Sequence, residues 1–113
     1  MELAVVDSGS APLRLVLTGR LDAAGTETVE SGFSAAIGRA ARDTVVDMTG
    51  VSFVGSLGIR MLIAGARQAG RAGRRLVIFG AQPAVTEIFT TVALDDLIPV
   101  VADEAAALAR LGT

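Results

Sequence analysis

Cysteine, histidine, lysine, tyrosine and tryptophan are all absent from this chain of 113 residues. Without thiols or imidazoles there is no disulfide framework, no thiolate nucleophile, no Cys or His metal site and no imidazole base, which removes most hydrolase chemistry. The lack of lysine removes the ammonium that a P-loop places on the β and γ phosphates of a nucleotide. Four Phe are the only aromatic residues, too few for a platform that stacks bases. The basic residues are all arginine, the net charge is −2, and the acidic residues are scattered, so the broad basic surface of a nucleic-acid binder is missing. Long uncharged runs are missing too. The hydrophobic fraction is 51% and mean hydropathy +0.58, yet the longest stretch without a charge runs only from Met48 to Ile59. A bilayer needs about 20 residues. The N-terminus, MELAVVDSG, puts an acid where a secretory signal puts bases. These absences predict a cytoplasmic protein that does not bind nucleic acid, does not insert into a membrane, is not an enzyme and needs no cofactor or metal. Its length fits one domain, residues 1–113.

Leu3 and Val5, then Leu13, Leu15 and Leu17, alternate with polar or small residues around the turn DSGSAP, so residues 2–7 and 12–18 read as a hairpin. The run LDAAGTETVESGFSAAIGRAA places Val29, Phe33, Ala36, Ile37 and Ala40 on one helical face. TVVDM at 44–48 predicts a short strand, residues 56–71 a helix, and RLVIFG at 75–80 a strand covered on both faces. Gln82-Pro83 starts a further helix with the stripe Val85, Ile88, Phe89 and Val92. LIPV at 97–100 is a last short strand, and Asp103 caps an Ala-rich closing helix. The order is β-β-α-β-α-β-α-β-α, an α/β domain whose sheet is mixed, since the hairpin is antiparallel and the alternating strands are parallel.

The chemistry, if there is any, should sit in FVGSLGIRML, residues 53–62, where a small turn joins a strand to a helix. A nucleophile elbow needs G-x-S-x-G and a histidine, and neither is available. No G-x-G-x-x-G follows a strand, so the dinucleotide fingerprint is absent as well. On local sequence alone Ser56 reads as the N-cap of the helix. In that helix Ile59, Leu62, Ile63, Ala66, Ala69 and Gly70 form the expected core face, while Arg60, Ala64, Arg67 and Arg71 form a solvated stripe. Between them Leu57, Met61, Gly65 and Gln68 make an arc beside Ser56 that is neither core nor charged, the pattern of a docking surface.

LTGRLDAAGT, VVDMTGVSFVGSLGIRML, and RLVIFGAQPAVTEIFTTVAL with Pro83, Val85 and Phe89 together resemble a STAS domain, specifically the small stand-alone anti-sigma factor antagonists (anti-anti-sigma factors) of bacteria. The resemblance covers roughly residues 12–101 and implies a single-domain STAS-like fold with a mixed sheet of four or five strands and about four helices. In that family the central block reads Asp-Ser-Ser-Gly, and its first serine is phosphorylated by a partner that is both anti-sigma factor and kinase. Ser56 matches that serine and Gly58 the glycine, while Gly55 stands in place of the Asp and Leu57 in place of the second Ser. The resemblance thus implies a regulatory module that binds an anti-sigma factor with serine kinase activity and so releases a sigma factor. Gly55, Ser56, Leu57, Gly58, Arg60, Met61 and Asp22 would form the binding surface and Ser56 would be the phosphorylation site. A serine phosphatase is a further candidate partner. Asp22, near the turn in a STAS fold, reads by itself as an N-cap or loop acid. Two other readings stay open: an accessory subunit of a membrane transporter, and an anion- or nucleotide-binding domain using the amides at the helix start.

Overall fold

Leucine at every second position from Leu13 to Leu17 can face only one side of a strand, and all three are buried on the same side of the sheet. The computed structural model describes residues 1–9 and 11–112. Ser10, within the turn DSGSAP, and Thr113 lie outside them. The elements are β1 (Glu2–Val6), β2 (Leu13–Leu21), α1 (Ala23–Ala40), β3 (Thr44–Val54), α2 (Ser56–Arg71), β4 (Leu76–Phe79), α3 (Pro83–Thr91), a 3₁₀ turn (Leu94–Asp96), β5 (Val100–Val101) and α4 (Glu104–Arg110). The five strands lie in sequence order. β1 is antiparallel to β2, and the remaining pairs are parallel, so the sheet is mixed as expected.

The sheet separates two apolar layers. On one side Leu13, Leu15 and Leu17 of β2, Val46 and Met48 of β3, and Leu76 and Ile78 of β4 meet Phe33 and Ile37 of α1, Leu62 of α2, and Val85 and Phe89 of α3. Each such side chain contributes about 1.5–3 kcal/mol by leaving water. On the other side Val45, Val77 and Phe79 lie beneath Ala107 and Leu111, in and just after α4. All four residues of β4 are therefore buried, which accounts for its unbroken apolar run.

Four boundaries depart from the sequence pattern. β2 does not end at residue 18 but continues to Leu21, paired with β3 to its end. β3 is not a short strand over 44–48 but continues to Val54. While β2 moves from Val16 to Thr18, β3 moves from Asp47 to Gly50, and a second shift follows between Gly19 and Arg20. These bulges break the two-residue alternation that marks a strand in sequence. β5 starts at Val100 rather than at Leu97, because the chain first makes the 3₁₀ turn. In α3, Val85 and Phe89 are buried and Ile88 half-buried, but Val92 is exposed just beyond the helix end. Asp103 caps α4 through the amide of Ala106 at 2.9 Å. Among the described residues, no helix is long and apolar enough to cross a membrane.

β3 also carries a charged group inside the fold. Asp47 is almost fully buried on the α4 side, where one carboxylate oxygen accepts from Arg14 Nη2 at 2.7 Å. The other accepts from the Thr49 amide at 3.0 Å and the Thr49 hydroxyl at 2.7 Å. Glu104 lies 3.3 Å from Arg14 Nε and ties α4 to the same group. Burial by itself would raise the Asp47 pKa. The Thr49 hydroxyl, the Thr49 amide and the Arg14 guanidinium outweigh it, and the carboxyl sits below its ordinary value.

Candidate functional site

The parallel strands end on one edge of the sheet, and the turns there carry the residues singled out in the sequence. Two of these turns are joined through Leu21, the last residue of β2. Its carbonyl accepts from the Gly55 amide at 2.9 Å, and its side chain lies directly beneath Gly58. A Cβ at position 58 would come within 2.7 Å of Leu21 Cγ and 2.9 Å of the Leu21 carbonyl oxygen. Only glycine lets the first turn of α2 lie this close to the end of β2, which gives the glycine of the central block a steric reason.

Gly55, not Ser56, is the N-cap of α2. It has extended backbone, and no side chain caps the helix. Ser56 is the first helical residue, and its side chain is exposed. Because Gly55 supplies the cap conformation without a side chain, the serine is displaced by one position and its hydroxyl is not consumed in a capping bond. Among the described residues that hydroxyl has no hydrogen-bond partner.

Leu57 is 42% exposed beside it, and Arg60, one turn further along, points to solvent without an acidic partner among the described residues. Arg67 and Arg71 continue this solvated stripe. The rest of the expected docking arc does not reach the surface. Met61 is only 3% exposed, Gly65 is buried, and Gln68 is half-buried. α1 covers them. A Cβ on Gly65 would meet Phe33 Cε2 at 2.6 Å and Ile37 Cδ1 at 3.0 Å. Gln68 Nε2 donates to the Ser34 carbonyl at 3.0 Å and its Oε1 accepts from the Ser34 hydroxyl at 3.2 Å. On the other flank, Ile59, Ile63 and Ala66 are only half-buried and Gly70 is exposed. The buried face of α2 is thus turned toward α1, and Met61 belongs to the core rather than to a contact surface.

Asp22 is the N-cap of α1, its Oδ1 accepting from the Gly25 amide at 2.8 Å. That bond comes first in holding its carboxyl below the ordinary value. Partial desolvation opposes it, and Arg20, whose Nε lies 3.6 Å from Asp22 Oδ2, assists. Arg20 also lies over the Phe53 ring, 4.6 Å from its centroid. The edge of that ring faces Gly55, where a Cβ would meet Phe53 Cε2 at 3.4 Å. Sequence reading missed Arg20 and Phe53. The signal was the aromatic-to-glycine spacing in FVGS, which has meaning only once the bulges of β3 bring Phe53 opposite Arg20. Arg20 thus touches both Asp22 and Phe53, the Phe53 ring lies beside Gly55, and Ser56, Leu57 and Arg60 follow as exposed residues on the first turns of α2. Among the described residues no group of three His, Cys, Asp or Glu side chains gathers to hold a metal.

A family model described as "Mlab, STAS domain" matches residues 4–100. Among solved structures, an anti-sigma factor antagonist from Mycobacterium paratuberculosis has a TM-score of 0.86 at 20% identity, covering 99% of this chain and 94% of that one. A STAS domain protein from Planctomyces limnophilus gives 0.84 at 20% identity, covering 98% of both chains. The Bacillus cell fate determinant SpoIIAA in its phosphorylated form gives 0.70 at 20% identity, covering 96% of this chain and 98% of that one. The search of curated proteins returned no match.

Proposed function

Because the chain belongs to the STAS domain family, we propose that it is a partner-switching module that binds an anti-sigma factor with serine kinase activity and thereby releases a sigma factor. The observation that carries this reading is the exposed Ser56 hydroxyl, free of any capping bond, at the start of α2 and beside exposed Leu57 and Arg60. The fold it shares with SpoIIAA, an anti-sigma factor antagonist solved in both unphosphorylated and phosphorylated forms, supports the same reading.

The partner would cover Leu57 and the Phe53 edge and place carboxylates against Arg20 and Arg60. Gly55 and Gly58 contribute by letting the chain lie close, and Asp22 by fixing the start of α1 beside it. Phosphorylation of Ser56 would add about −1.5 to −2 charges at the centre of this surface. The helix N-terminus tolerates that charge. Arg60, four residues on, is placed to pair with it within the helix. The phosphate then competes with the partner's carboxylates for the same guanidinium and adds a dianion that the interface must desolvate.

Affinity capture from the source cell with wild type, Ser56→Ala and Ser56→Glu tests the reading. Wild type and Ser56→Ala should retain an anti-sigma factor of the kinase class, and Ser56→Glu should bind it about a hundredfold more weakly, the equivalent of roughly 3 kcal/mol. With the captured partner and ATP, intact mass should rise by one phosphate on wild type and stay unchanged on Ser56→Ala. Retention of a transporter ATPase in place of an anti-sigma factor, or equal retention by all three proteins, overturns the proposal.

A further inference from the structure

At the end of the sheet remote from Ser56, where β4 begins, Leu76, Leu97 and Leu111 help to line a cavity of about 210 Å³ whose wall also carries Arg74, Arg75 and Arg110. A second cavity of about 120 Å³ continues it along α2, sharing Leu97. Leu97 is 60% exposed, the most exposed large apolar side chain among the described residues. The three arginines are not equivalent. Arg75 donates to the carbonyls of Arg110 at 3.2 Å and Leu111 at 2.8 Å, and lies 3.6 Å from Asp43. It is occupied in fastening the end of α4 to the start of β4. Arg74 and Arg110 have no acidic partner among the described residues. Two unmatched guanidinium groups therefore stand over apolar walls in a chain whose net charge is −2.

We infer that this cavity binds a small amphiphile that joins an oxyanion head, a carboxylate or a phosphate, to a single medium-length alkyl tail. Guanidinium groups match both oxyanions through paired N–H donors. The leucine walls reward an apolar tail at about 25 cal/mol per Å² removed from water. The volume is below the roughly 300–1,000 Å³ of pockets for drug-sized ligands, which sets the small size. The site shares no residue with the Ser56 surface and does not depend on the function proposed for it.

Amide chemical-shift titration of the whole chain with octanoate and with octyl phosphate tests the site, with octanol and acetate as the two half-probes. Both or one of the amphiphiles should shift the Leu76, Leu97 and Leu111 amides saturably at millimolar concentration, and the stronger of the two identifies the preferred head. Octanol and acetate should leave these amides in place. The double substitution Arg74→Gln and Arg110→Gln, both at exposed positions, should weaken binding at least about tenfold, while Arg60→Gln should not change it. No saturable shift with either amphiphile, an equal response to octanol, or unchanged binding in the double variant would overturn the assignment.

Discussion

Near its start β3 carries Asp47, whose carboxylate takes bonds from Arg14 and Thr49 inside the fold, whereas at its end the chain passes through Gly55 to a serine whose hydroxyl bonds to nothing among the described residues. At the first end polar groups are consumed in holding β2, β3 and α4 together. At the second, glycines let Leu21 meet α2 and Phe33 meet Gly65, and the bond from the Gly55 amide to the Leu21 carbonyl is made by backbone, so neither Ser56 nor Arg60 is used in the holding. The difference teaches where a small domain can leave polar side chains uncommitted. At the start of α2 close backbone approach secures the structure, and the side chains of Ser56, Leu57 and Arg60 stay exposed.

Substitutions can break this contrast in order of size. Gly58→Val should cost the most, about 3 kcal/mol by urea unfolding, since the added carbons collide with the Leu21 side chain and carbonyl. Asp47→Asn should cost about 2 kcal/mol, less than the 3–5 of a fully buried pair, because Arg14 keeps 37% of its side-chain exposure and can turn to water. The same residue makes a pH prediction. Its folded pKa is depressed, so its contribution is complete above the unfolded value of about 3.9 and is lost as pH falls through the lower folded value. Unfolding midpoints measured down an acid series should therefore draw together for wild type and Asp47→Asn as pH falls below the ordinary carboxylate range and through the lower folded value. At the serine end Ser56→Ala should change stability by less than about 0.5 kcal/mol, whereas loss of a true N-cap would cost about 1. Smallest of all, Gly55→Asp should gain about 0.3 kcal/mol in thermal unfolding by adding the missing side-chain cap. A large loss there would mean that the Phe53 edge cannot accommodate the extra carbons.

The α/β order, the mixed sheet, and the limits of α2 were legible in the sequence because they rest on local periodicity and on Gly and Pro punctuation. Asp22 and Asp103 were legible as caps for the same reason. What failed was non-local. The length of β3 depends on bulges that only its partner strand defines. Met61 and Gly65 looked available because a helical wheel counts one buried face, while α2 has two neighbours, the sheet and α1. Ser56 was misplaced by one residue because glycine can cap a helix with backbone alone. Ser56 and Gly58 were found by the strand-turn-helix pattern around them, but the pairing of Arg20 with Phe53 joins residues that no spacing rule connects.

The glycine contacts under α2 bear on how a mark at Ser56 could be read. With Gly58 seated on Leu21 and Gly65 on Phe33, the helix has no slack along its inner side, and sliding or tilting it would drive atoms into contact at two points. Such a support behaves as an anvil rather than a lever. Information written at the serine, under the function proposed above, would stay where it is written, and a partner would sense it by touch rather than through any change of shape transmitted across the molecule.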